Sequence, residues 1–104
     1  MSTESAQACL ERAMALVDEA LAEAETGAWE RVSELDARCR DASTAMAEEL
    51  RGYDPLPLLR GLTTLRERHH RLLELAEHRR DELAQASRDS RRGRQGARAY
   101  EDNT

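Results

Sequence analysis

Apolar residues along this chain recur in steps of three and four, with polar and charged residues between them. In the first stretch Leu10, Met14, Val17, Leu21 and Ala24 keep that step, which predicts an amphipathic helix. Ser2 or Thr3 can cap its free amides, and Glu4 is favourable in its first turn. Gly27 closes it, because glycine readily takes the left-handed conformation that ends a helix. A second helix begins at about Ala28 and carries Val32, Leu35, Cys39, Ala42 and Met46. Gly52-Tyr53-Asp54-Pro55-Leu56-Pro57 breaks it, since proline lacks an amide donor and disfavours helix in the residue before it. The third runs from about Leu58 through Leu62, Leu65, His69, Leu72, Ala76 and Leu83 to Ala86. Beyond it, Ser87 to Arg98 is polar, Arg-rich and interrupted by Gly93 and Gly96, which reads as a short helix or a frayed end.

An average step of about 3.5 residues keeps one narrow seam facing a neighbour, as in coiled coils and bundles. The first two helices would each be about 24 residues, or about 36 Å, long. Their matched lengths and the tight link at Gly27 favour an antiparallel hairpin, with the third helix crossing back along it. The expected fold is all-α: an antiparallel bundle of three long helices with a short C-terminal helix or frayed tail. Residues 1–87 would form the bundle and 88–104 a separate Arg-rich segment. Leu21, Leu35, Leu65 and Leu72 should be buried, and Trp29 should pack back against the first helix.

Composition supports helices. Ala and Leu dominate the apolar residues, Phe and Ile are absent, and the chain has two Pro. The net charge of −5 conceals a gradient. Residues 1–50 hold twelve acids against four arginines, a net of −8; residues 51–104 hold nine against twelve, a net of +3. Every Lys/Arg cation is arginine. No uncharged run approaches the ~20 residues of a membrane span, and Met1-Ser2-Thr3-Glu4 does not open a secretory signal. Two cysteines, Cys9 and Cys39, are too few for a disulfide scaffold and suit a reducing compartment. A cytoplasmic location without membrane insertion is the expectation.

Candidate chemistry is sparse. Among Cys9, Cys39, His69, His70 and His78 no pair stands four apart on one helix, as two metal ligands would. No strained turn presents a serine nucleophile, and Gly93 and Gly96 lack the strand and lysine of a phosphate loop. Neither catalysis nor a cofactor or metal is expected. Arg88, Arg91, Arg92, Arg94 and Arg98 could contact phosphates, but the chain is acidic overall and no aromatic residues interleave for base stacking. Direct nucleic-acid binding is therefore not expected. On the third helix the apolar arc from Leu75 round to Leu59 spans about 200°, against about 100° for a one-sided helix. A central helix touching both others needs such a width, and so does a docking groove. A partner helix is expected there, on Leu62, Leu65, Leu72, Leu75, Ala76 and Leu83.

In order and spacing the chain resembles the FliT-type flagellar export chaperones. The resemblance rests on the opening amphipathic helix and on Thr26-Gly27-Ala28-Trp29-Glu30-Arg31-Val32 at the first turn. Arg79-Arg80-Asp81-Glu82-Leu83-Ala84 and the terminal Arg91-Arg92-Gly93-Arg94-Gln95-Gly96-Ala97-Arg98-Ala99-Tyr100 complete it. Two features depart from that pattern: Arg68-His69 stands where the family often has Asn-Glu, and the tail after Tyr100 is short. The resemblance implies a cytoplasmic chaperone of flagellar type III export that holds the filament-cap protein and hands it to the export ATPase and export gate. It also implies, in some bacteria, binding to the flagellar master transcription regulator. The C-terminal segment, here Arg91, Arg92, Arg94, Arg98 and Tyr100, would fold back as a regulatory tail. The rival readings are a homo-oligomeric helical structural protein and a small nucleic-acid-associated protein using the Arg-rich tail.

Overall fold

The computed structural model describes the backbone over residues 3–102 and the side chains over residues 5–96. Three α-helices occupy it: α1 (Thr3–Glu25), α2 (Trp29–Glu49) and α3 (Leu59–Asp102), with a 3₁₀ turn at Leu56–Leu58 leading into α3. No strand occurs among the described residues. The expected caps at Ser2, Thr3 and Glu4 have side chains outside the described range.

The α1–α2 turn is built by hydrogen bonds to the end of α1. Gly27 has φ +80°, its N–H donates to the Ala24 carbonyl at 3.2 Å, and the Ala28 N–H donates to the Glu23 carbonyl at 3.1 Å. This paired arrangement satisfies carbonyls that the helix end leaves free, and it requires a left-handed residue between them. Trp29 follows, half-buried against the core as its position past the glycine predicts. After α2, Gly52 is again left-handed at φ +85°. Asp54 Oδ1 then accepts the Leu56 N–H at 3.1 Å and fixes the entry to α3.

Two compact units divide the chain, Met1–Leu73 and Glu74–Thr104. In the first, the stripe expected on α2 is the stripe observed: Val32, Leu35, Cys39, Ala42 and Met46 are buried. On α1 the buried face is turned relative to expectation. Leu10 and Val17 are buried with Ala6, Cys9, Ala13, Leu16 and Ala20, while Met14, Leu21 and Ala24 pack half-buried at its edge. The reason is size. Ala6, Ala13 and Ala20 stand seven apart with no exposed surface, and a line of methyl groups lets the facing helix approach closely. The Cys39 thiol consequently reaches the α1 backbone, donating to the Ala13 carbonyl at 3.4 Å. Nearer the turn, Arg31 meets Glu19 at 3.2 Å.

On α3 the first unit includes Leu65 and Leu72, both buried and seven apart, with Leu58 buried seven residues earlier. Leu62 packs half-buried beside them. Gly61 marks a close approach to α1, since a Cβ there would stand 2.6 Å from Leu10 Cδ2. Three of the four leucines expected to be buried are so, and Leu21 is half-buried.

The second unit corrects two expectations about the third helix. The helix neither stops at Ala86 nor frays, but runs unbroken through Ser87–Arg98 to Asp102. Arginine, alanine, glutamine and glutamate are good helix formers, and Gly93 and Gly96 cost only about 1 kcal/mol each without blocking a hydrogen bond. Side-chain links one turn apart support it: His78–Glu82 at 2.6 Å, Gln85–Asp89 at 3.0 Å and Arg88–Gln85 at 2.8 Å. Nor does the apolar seam carry burial to Leu83 and Ala86. Every residue from 77 to 96 is exposed, because a lone leucine among small and charged residues offers too little apolar area to hold a neighbour.

Candidate functional site

In the first unit, α3 is joined to both other helices by two adjacent polar residues. Arg68 Nη1 donates to both oxygens of Asp18 on α1, at 3.0 and 2.8 Å. His69 Nε2 lies 2.9 Å from Asp36 Oδ1 on α2, and Asp36 Oδ2 is held by Arg40 at 2.8 Å. Neighbours on a helix point about 100° apart, so Arg68-His69 reaches to opposite sides and clasps α3 to α1 and α2. The Arg68–Asp18 pair is open to solvent and contributes no more than about 1 kcal/mol. His69 and Asp36 are more sheltered, with side chains 32% and 20% exposed.

Between α2 and α3 runs a groove lined by Cys39, Arg40 and Ser43 from one helix and Leu62, Leu65, Arg66 and His69 from the other. Leu65 and Cys39 form its buried floor. Burial pushes the Cys39 thiol above its ordinary value, and the Asp36 charge adds to the effect. A neutral thiol donating to a backbone carbonyl is packing, not a nucleophile. Near the α1–α2 turn, hydrogen bonds to Glu34 on its own helix and to Glu19 on α1 raise the pKa of Arg31. On the outer face of α3, Thr63, Arg66, Glu67, His70 and Leu73 surround a shallow recess. Leu73 is about half exposed there, at 48%, and Leu59 earlier on the helix is 54% exposed.

The residues expected to bind a partner fall into three groups. Leu65 and Leu72 are core residues. Leu62 is half-buried and lines the groove, whereas Leu75 and Ala76 are half-buried in the second unit and Leu83 is exposed there. Of the expected tail residues, Arg91, Arg92 and Arg94 are exposed on α3; the side chains of Arg98 and Tyr100 lie outside the described residues. The cationic rim of the groove, Arg40 and Arg66, was not foreseen, because nothing in local spacing brings residues 26 positions apart together. Among the described residues no group of three or more His, Cys, Asp or Glu could hold a metal. No described helix is long and apolar enough to cross a membrane.

The geometry defines a small helical protein that presents apolar and cationic side chains together on its third helix. The chain belongs to the FliT family: the family model for flagellar protein FliT matches residues 7–102. This is a chaperone-type flagellar family and not an enzyme family. Comparison with curated proteins and with solved structures gave no match.

Proposed function

We propose that this chain is a cytoplasmic export chaperone of the flagellar type III system, folded as an antiparallel bundle, which holds the filament-cap protein before export. The observation carrying this reading is the state of α3: in a chain with 36% charged residues, Leu59, Leu73 and Leu83 remain exposed on one helix. A helix-in-groove partner is recognised by such anchors. The candidate contacts on α3 are Leu62 in the first unit and Leu75, Ala76 and Leu83 in the second, while Leu65 and Leu72 belong to the core of the first unit. Hand-over to the export ATPase and gate, and contact with the flagellar master transcription regulator, use the same surface. Residues 88–104, with Arg91, Arg92, Arg94, Arg98 and Tyr100, act as its restraint. Co-purification with the cognate filament-cap protein tests the reading, and failure of the two to associate overturns it. Leu75→Ala should then weaken the complex, and an unchanged affinity would place the partner elsewhere.

A further inference from the structure

We propose that the α2–α3 groove reads a carboxylate: its occupant is an amphipathic partner helix carrying Asp or Glu one turn away from an aliphatic anchor. This rests on the chaperone reading above and specifies the partner's chemistry. The floor, with Leu62, Leu65 and the Cys39 thiol, accepts an aliphatic side chain. The rim is cationic, with Arg40 from α2 and Arg66 from α3. The adjoining carboxylate, Asp36, is already engaged through both oxygens, Oδ1 by His69 and Oδ2 by Arg40. It therefore orients Arg40, and no bond from Arg66 to Asp36 is formed. Arg66 is exposed and makes no hydrogen bond or ion pair with any described residue. Its guanidinium keeps five donors in a planar fork, the geometry that grips a carboxylate with two bonds. Asp41 lines a different recess, and Glu67 shares the outer recess of α3 with Arg66 but is not among the residues lining this groove.

Charge complementarity thus selects the occupant. Residues 1–50 carry −8 overall, so the field of the chain as a whole disfavours an acidic helix, and its carboxylate is held only where the local rim of Arg40 and Arg66 lies within ion-pair reach. In a helix, residues three or four apart share a face, so one turn of a partner presents the acid to the rim and the aliphatic group to the floor.

The test measures affinity for the cognate filament-cap protein across a salt series. The chaperones are wild type, Arg66→Glu, Arg66→Lys and Arg38→Glu, the last a reversal on a different recess. Arg66→Glu should weaken binding roughly ten-fold or more and flatten its salt dependence. Arg66→Lys should fall between, because it keeps the charge and loses the fork. Arg38→Glu should bind as wild type. Replacing the matching acid of the cap segment by Arg should restore affinity to Arg66→Glu. Wild-type affinity in Arg66→Glu, or equal weakening by Arg38→Glu, overturns this inference alone. If wild type itself does not bind the cap protein, the chaperone reading fails and this inference with it. Unaltered far-UV circular dichroism in Arg66→Glu ties the loss to the groove, and a collapsed spectrum would assign Arg66 to the fold and overturn the proposal.

Discussion

Residues 59–73 and 74–102 belong to one unbroken helix, yet they are stabilised in different ways. The first stretch buries Leu65 and Leu72 and adds the Arg68–Asp18 and His69–Asp36 links. The second has no buried residue among those described and relies on links within itself, such as His78–Glu82 and Gln85–Asp89. Packing of a fully buried leucine is worth about 1.5–3 kcal/mol, whereas a pair one turn apart on a helix surface adds about 0.2–0.5 kcal/mol. Continuity of hydrogen bonding therefore does not mean uniform stability. The second stretch should open locally far more often than the first, as segments without buried apolar contacts do.

The largest expected effect contrasts leucines on the two sides. Leu72→Ala and Leu35→Ala should each cost about 2–5 kcal/mol, since they empty a filled core. Leu83, 52% exposed, should lose less than about 0.5 kcal/mol on the same change. Urea denaturation of the three variants measures this, and a Leu83→Ala midpoint as low as that of Leu72→Ala would erase the distinction.

Glycines sharpen the contrast, because one substitution should act oppositely on the two stretches. At Gly93 and Gly96 an added Cβ meets nothing within 4 Å, so alanine should stabilise the local helix by about 0.5–1 kcal/mol. At Gly61 the new Cβ would stand 2.6 Å from the side chain of buried Leu10. Overpacking there should outweigh the helix gain and leave a net loss of about 0–2 kcal/mol. Amide exchange should slow around Gly93→Ala, while global unfolding should become easier in Gly61→Ala. Slower exchange in both variants would mean that α3 approaches α1 less closely than this.

These differences explain what the sequence could reveal. On α2 each buried position was legible, since Val32, Leu35, Cys39, Ala42 and Met46 form a single stripe. On α1 the large residues Met14 and Leu21 mark one face in the sequence, but close approach over Ala6, Ala13 and Ala20 sets the rotation. The end of α3 is not legible from composition, because Gly93 and Gly96 look like breakers although a glycine with helical dihedrals keeps its N–H in the ladder. Leu62, Leu75 and Ala76 were legible as an apolar face. The clasp of Arg68 and His69, and the rim of Arg40 and Arg66, depend on which helices become neighbours, information absent from local periodicity.

A smaller effect follows from Cys39, buried in the first unit. Its pKa is raised in the folded protein, chiefly by burial, so the native thiol stays neutral where the unfolded one ionises. Below the ordinary value of 9.0 both states are protonated and stability is unaffected. Above it the unfolded state loses the proton first, and stability falls as pH rises toward the folded pKa. Cys39→Ala should show a shallower fall above pH 9 than wild type, after allowance for the common alkaline loss. Parallel curves would show that the thiol is more accessible than its 3% exposure indicates.

The last prediction concerns residues 88–104 and carries the smallest effect on the fold. Nothing from 88 to 96 is buried, so deleting 88–104 should leave the unfolding free energy of the core, read by urea denaturation, within about 0.5 kcal/mol of wild type. Its effect should appear in binding. The proposed restraint would draw on opposite charge, since Arg88, Arg91, Arg92 and Arg94 are exposed and residues 1–50 carry −8. Because α3 is continuous, folding back requires a local break, and Gly93 and Gly96 are its weakest points. Exposed ion pairs contribute about 0–1 kcal/mol each and are screened by salt, so a net restraint of about 1 kcal/mol is the expected scale. Removing it should tighten binding to the export partners about five-fold at low salt, with the difference vanishing as salt is raised. Gly93→Ala combined with Gly96→Ala should reproduce part of the gain without any deletion, because a stiffer helix resists the break. Affinity unchanged by both the truncation and the double alanine variant would leave the segment as a solvated helix end with no hold on the binding face.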